Sequence, residues 1–119
     1  MNNEDMVPIE IDLSVVNRGG VMEAVDYRRF SSSVRRVLDS IFGGAFAPVK
    51  VKGSKQEIES FAKVVARDKQ YIRMVAKYGL DDPRVYKDKF KLRKAIAKFE
   101  RTTGIKYPFE PVRYNTGSL

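Results

Sequence analysis

The stretch that decides the fold runs from Ser54 to Gly104 and reads SKQEIESFAKVVARDKQYIRMVAKYGLDDPRVYKDKFKLRKAIAKFERTTG. It opens with a capping box, because the Ser54 hydroxyl can accept from a free N–H group while Glu57 reaches back. Apolar side chains then keep helical spacing for about five turns at Ile58, Phe61, Ala62, Val65, Ile72, Val75 and Ala76. Gly79 suits the residue that closes such a helix. The pattern predicts a first long helix that ends near Gly79.

A second helix is predicted directly after the first. Asp81 or Asp82 can cap it, and Pro83 takes the first helical position, where a missing N–H costs least. Its apolar face is formed by side chains at helical spacing, Val85, Leu92, Ile96 and Phe99. Gly104 ends it. Because the connection from Gly79 to Asp82 is short, we expect the two helices to form an antiparallel hairpin.

The N-terminal part of the chain begins with a predicted strand. Apolar side chains at every second position indicate one buried face, at Ile9, Ile11, Leu13 and Val15. Residues 17–20, Asn-Arg-Gly-Gly, supply turn chemistry. Residues 21–27 allow two interpretations. They can return as the second strand of a hairpin, or they can open a helix with Asp26 as its N-cap. We favour the hairpin.

A helix is predicted from about Ser32, capped by Ser31 or Ser32 and ended by Gly43-Gly44. Its apolar stripe comprises Phe30, Val34, Val37, Leu38 and Ile41. Val49 and Val51, which alternate with lysines, indicate one more short strand. The element order is therefore β-β-α-β-α-α. This order predicts an α+β fold in which a small antiparallel sheet packs against the helices.

The length of 119 residues allows one domain with one hydrophobic core. We expect residues 1–114 to form this single α+β domain. The segment from Ile105 to Tyr114 combines prolines with aromatic residues, so it should pack back across the domain without forming a regular helix. We expect residues 115–119 to be a disordered C-terminal tail.

The composition excludes several kinds of chemistry. The chain has no cysteine and no histidine, so thiolate nucleophiles, Ser-His mechanisms and the usual zinc sites cannot be built. Glu10 and Asp12 share one strand face and could hold Mg²⁺ or act as acid and base. No third ligand or nucleophile accompanies them, so we interpret them as solvent-facing. We expect a protein that is not an enzyme and that carries no cofactor or metal.

The chain also lacks the signals of a membrane or secreted protein. No apolar run approaches the roughly 20 residues that span a bilayer. The first residues are polar and acidic, which is the wrong charge for a signal peptide. We therefore expect no membrane partner and a cytoplasmic location.

The net charge of +8 lies in the C-terminal half. Residues 1–53 hold seven Lys/Arg and seven Asp/Glu, whereas residues 54–119 hold sixteen and eight. Six of these cations fall within an arc of about 100° on the last helix, away from its apolar face. We name them the basic ridge: Arg84, Lys87, Lys91, Lys94, Lys98 and Arg101.

The basic ridge allows three interpretations. It can be a solvated helix face on which lysine serves as a helix former. It can bind nucleic acid, with a strong dependence on salt. It can also dock on an acidic protein surface. Our leading hypothesis is a small basic binding protein that engages nucleic acid through the ridge. The alternative is an interaction protein that binds a host or viral protein and modulates its activity.

Two further groups of residues have both a structural and a functional interpretation. Tyr71, Tyr78, Tyr86 and Phe90 could stack on bases beside the ridge, but their spacing favours packing between the paired helices. The serines at 31–33 lie next to four arginines and could bind a phosphate at a helix N-terminus, although capping explains them.

Residues 53–109 resemble short uncharacterised accessory proteins of tailed bacteriophages. The resemblance is carried by Gly53-Ser54, Phe61, Tyr71, the stretch from Tyr78 to Pro83, Phe99-Glu100, Thr103-Gly104 and Pro108-Phe109. Most of these residues are caps, turns and core positions. The resemblance implies a phage-encoded accessory protein that acts in the bacterial cytoplasm, and it implies no catalytic residues.

Overall fold

A computed structural model of the chain describes residues 8–43 and 48–109. These residues form two strands and three helices, in the order β1 (Ile9–Asp12), α1 (Ala24–Gly43), β2 (Val49–Lys52), α2 (Lys55–Tyr78) and α3 (Pro83–Thr103). The predicted order with a second N-terminal strand is therefore wrong.

The sheet is parallel, which corrects the predicted antiparallel sheet. β1 pairs with β2 in a register that sets Ile9 opposite Val49 and Asp12 opposite Lys52. A parallel pair needs a long crossover connection, usually a helix, and α1 provides it. Ile9 and Ile11 are buried, whereas β2 is mostly exposed. The sheet thus contributes one buried strand to the core and one edge strand to the surface.

Residues 24–30 belong to α1 because their apolar side chains continue the helical stripe of the residues that follow. Tyr27, Phe30 and Val34 face the core together, which only helical spacing allows. Val21 and Val25, which a strand would have placed with Tyr27 on its buried face, are exposed instead. The first turn of the helix is fixed to the rest of the domain, since the Tyr27 hydroxyl donates to the Lys106 carbonyl at 2.8 Å.

α2 and α3 lie where their capping signals place them, and they make the most extensive contact among the described elements. Ser54 accepts from the Glu57 N–H, and the Glu57 carboxylate accepts from the Ser54 N–H, so the capping box is complete. Asp82 caps α3 by accepting from the Arg84 N–H at 2.9 Å. Gly104 closes α3 in the left-handed region, with φ +73°.

One core connects every element. It contains β1, the inner faces of the three helices and the segment after α3, in which Ile105 and Tyr107 are buried. Phe109 packs edge-on against Tyr107. The predicted packing of the C-terminal segment is thus seen as far as Phe109. The expected tail at 115–119 lies outside the described residues.

Within the described residues, no helix combines the length and the apolarity that a bilayer-spanning segment requires.

Candidate nucleic-acid interface

A shallow groove runs along the seam between α2 and α3, with a volume of about 360 Å³. Its walls are almost entirely cationic. We call it the basic groove, and it is lined by Ser60, Lys63, Arg67, Lys91, Lys94, Ala95, Lys98 and Arg101. Six of these eight residues are positively charged and none is acidic. The groove therefore presents cations from two helices to the same volume of solvent.

The packing of the two helices creates the groove. On α2, Lys63 and Arg67 lie one turn apart beside the buried side chains of Ser60 and Val64. On α3, Ala95 is buried at the seam, and the basic residues flank it. Ser60 and Ala95 are small and buried, so they leave space between the long basic side chains that stand on both sides.

The charges of the basic groove are not neutralised by carboxylates within the described part of the chain. The ion pairs found there join Arg18 to Asp12 and Arg84 to Asp82. No described carboxylate forms an ion pair with any of the six groove cations. A concave surface lined by one sign of charge concentrates its field, and this one attracts anions.

Only part of the basic ridge lines the basic groove. Lys91, Lys94, Lys98 and Arg101 line the groove. Lys87 is exposed but is not one of the lining residues. The sequence thus located four of the six groove cations.

Arg84 is engaged elsewhere, at the connection between the helices. It pairs with Asp82 at 2.8 Å, and its guanidinium carbon lies 3.5 Å from the ring centroid of Tyr78. Hydrogen bonds from the Arg84 side chain and backbone lower the pKa of Asp82 to about 2. Arg84 therefore holds the hairpin connection together and is not a free cation of the ridge.

Sequence reasoning missed Lys63 and Arg67 on α2. Their spacing of four residues, beside the apolar face of α2, was a usable signal. However, α2 carries charged residues on both flanks of that face. Only the packed hairpin decides which flank meets the ridge.

The four aromatic residues considered as stacking platforms fall into two groups. Tyr71 is buried and Tyr78 is half-buried against the core, as the packing interpretation requires. Tyr86 and Phe90 do not pack between the helices, because 53% and 63% of their surfaces are exposed. The Lys94 ammonium lies 5.4 Å from the centroid of the Phe90 ring, so this ring borders the basic groove.

The acidic pair on β1 lies in a different groove, of about 690 Å³, between the sheet and α1. Glu10 is exposed, and Lys50 and Lys52 line the same groove. Burial acts to raise the pKa of Asp12, but hydrogen bonds from Ser14 and the charge of Arg18 outweigh it and lower the pKa. Asp12 is thus engaged in the local structure of the turn.

The serines at 31–33 do not lie at a helix N-terminus, because α1 begins at Ala24. The Ser31 hydroxyl donates to the Tyr27 carbonyl at 2.9 Å, within the helix. The capping role of this run and a phosphate site at a helix N-terminus are therefore both wrong.

Among the residues that the structure describes, no three acidic side chains come close enough together to hold a metal ion.

No protein-family model, curated protein or solved structure matches the chain.

Proposed function

We propose that this chain is a non-enzymatic binding protein that engages nucleic acid through the basic groove between α2 and α3. One observation carries the proposal. Six cations from two helices line one groove that contains no acidic residue, and none of the six is paired with a described carboxylate. A phosphodiester backbone supplies the repeated negative charge that such a groove attracts, and each contact releases condensed counterions.

The resemblance to accessory proteins of tailed bacteriophages supports a proposal about where this binding takes place. On that basis we propose that the chain is phage-encoded and acts in the cytoplasm of a bacterial host. A basic groove without stringent base recognition would suit binding to nucleic acid of many sequences, because phosphate contacts carry affinity and little sequence information.

The test compares two charge-reversal variants of equal net charge. Lys94→Glu/Lys98→Glu changes the groove, whereas Arg28→Glu/Arg36→Glu changes two exposed cations on α1, which contributes no residue to the groove. Binding of labelled single-stranded and duplex oligonucleotides is followed by fluorescence anisotropy between about 50 and 200 mM salt. We expect the groove variant to lose about tenfold or more in affinity for nucleic acid, because like charges then face the phosphates. The α1 variant should stay within about threefold of the wild type, and wild-type affinity should fall steeply with salt.

Three outcomes would overturn the proposal. Equal losses in both variants would mean that net charge, not the groove, attracts the nucleic acid. Binding that does not depend on salt would show that the protein makes no phosphate contacts. If polyglutamate of matched charge competes as well as the oligonucleotides do, the groove is a docking site for acidic protein surfaces.

A further inference from the structure

Two exposed aromatic rings lie on α3, and one of them, Phe90, borders the basic groove. Of the aromatic side chains that the structure describes, only Tyr86 and Phe90 are more than half exposed. The other described rings are buried or half-buried, and most of them contact another ring or a cation. Single exposed apolar residues are common on protein surfaces, but an exposed aromatic ring beside a cationic groove, with a second ring one helical turn away, forms a chemically defined surface.

The geometry of α3 sets Phe90 beside the charges, whereas Tyr86 falls one turn farther from them. Phe90 and Lys94 are separated by one turn, and the Lys94 ammonium lies 5.4 Å from the Phe90 ring centroid. At 100° per residue, Phe90 falls only about 40° from Lys94 around the helix. A phosphate held by Lys94 would therefore place the attached nucleoside close to the Phe90 ring.

The spacing of the two rings favours one form of nucleic acid. Tyr86 and Phe90 are four residues apart, so they are separated by about 6 Å along the helix axis. Successive bases of a duplex strand are stacked about 3.4 Å apart and turned inward. Neighbouring bases can each lie on one of these rings only if the strand is extended and its bases are unstacked.

From these observations we infer that the surface takes a single-stranded nucleic acid, one base of which stacks on Phe90 while its phosphates follow the basic groove from Lys94. Tyr86, one turn farther from the groove, is open to the next base. This inference rests on the proposed function and adds the strand form and the ring, Phe90, that selects it. Stacking tolerates any base, because every base has a π-face, whereas a duplex keeps its bases inside.

The chain has no tryptophan, so a single introduced tryptophan reports directly on its own surroundings. The experiment uses Phe90→Trp, with Val25→Trp as the control at an exposed position of α1. We expect single-stranded oligo(dT) to quench the fluorescence of Phe90→Trp at saturation and to leave Val25→Trp unchanged. A duplex of matched length should quench neither protein.

Affinity measurements on two alanine variants complete the test. Phe90→Ala should weaken binding of single-stranded oligo(dT) by about 5- to 150-fold at fixed salt, which is the range for loss of one stacked base. Its affinity for duplex should stay within about threefold. Val25→Ala serves as the matched loss of an exposed apolar side chain and should change neither affinity.

The outcomes separate this inference from the proposed function. If Lys94→Glu/Lys98→Glu abolishes binding but Phe90→Ala affects single strand and duplex equally, the groove binds nucleic acid and the stacking inference is wrong. Quenching of Phe90→Trp by an acidic polypeptide but not by oligo(dT) would make the rings a protein contact and would also overturn it. If the wild-type protein binds neither form of nucleic acid, the proposed function itself is wrong.

Discussion

Asp68 is a carboxylic acid that the fold buries on α2. It is 5% exposed, and the described hydrogen bond to its side chain comes from the Tyr107 hydroxyl, which donates to it at 2.9 Å. Burial raises the pKa of Asp68, and the bond from Tyr107 offsets only part of this effect. Burial also raises the pKa of Tyr107, which stays protonated and remains a donor. The charged form of Asp68 is therefore disfavoured in the folded chain.

This burial predicts a loss of stability as the pH rises. The folded chain holds the Asp68 proton more tightly than the unfolded chain does, so stability falls between the ordinary aspartate pKa and the raised one. Because one proton is involved, the slope across this window cannot exceed about 1.4 kcal/mol per pH unit. Asp68→Asn removes the titration, so the variant should gain on the wild type as pH rises. Urea unfolding of both proteins from acid to neutral pH measures the difference, and a difference that does not change with pH would contradict the prediction.

Gly104 is a single position at which the backbone excludes a side chain. Its φ of +73° lies in the left-handed region, and an added Cβ would lie 2.7 Å from Cγ1 of Val16. Gly104→Ala should lower the free energy of unfolding by about 1–3 kcal/mol, from backbone strain and overpacking together. Gly43→Ala is the control, since its added Cβ would meet no described atom within 4 Å beyond its chain neighbours and the backbone of its own helix. The measurement is the midpoint of urea unfolding, compared between variants that have the same m-value. Equal effects at the two glycines would refute this explanation.

At the scale of elements, the N-terminus of α2 is joined to two other parts of the chain. The Asn17 amide donates to the Glu57 carboxylate and also to the Thr102 carbonyl, the latter at 2.9 Å. The hydrogen bond from the Ser54 N–H, the largest influence, and the Asn17 amide together lower the pKa of Glu57. The capping box therefore links the turn after β1, the start of α2 and the end of α3.

The capping box predicts a cost that is specific to its position. Ser54→Ala should destabilise the domain by about 1 kcal/mol, because the Glu57 N–H loses its acceptor. Ser32→Ala, at an exposed position inside α1, should be neutral or slightly stabilising, since alanine has the higher helix propensity. Thermal or urea unfolding distinguishes the two variants. A cost at Ser32 as large as that at Ser54 would argue against the cap.

At the scale of the whole molecule, the basic groove should oppose folding. Six cations that lack a described carboxylate partner face one volume of solvent, in a chain whose net charge is +8. Like charges brought together destabilise the compact state, and salt screens this repulsion over about 10 Å at moderate ionic strength. A bound polyanion would relieve it.

This repulsion predicts that loss of groove charge raises stability. Lys94→Gln/Lys98→Gln should melt at a higher temperature than the wild type at low salt, and the difference should shrink as salt is added. The same pair of changes should weaken nucleic-acid binding. Arg28→Gln/Arg36→Gln, which removes equal charge from α1, should change the melting temperature less. If both variants gain equally, the destabilisation belongs to the net charge and not to the groove.

The sequence by itself determined the parts of this fold that depend on neighbours a few residues apart. Capping of α2 and α3, their terminal glycines and the clustering of charge on α3 all follow from spacings of three or four residues. These interactions form within one helical turn, so they can be recognised without knowledge of the tertiary structure.

Only the tertiary structure decided which distant segments meet. β1 could have paired with residues 21–27, but the helical stripe of α1 takes Tyr27 into the core and leaves β2 as the partner of β1. Lys63 and Arg67 join the ridge cations because the hairpin packs one flank of α2, and not the other, against α3. Both outcomes depend on competition for the same buried surface between segments far apart in the chain, and no local pattern records how that competition ends.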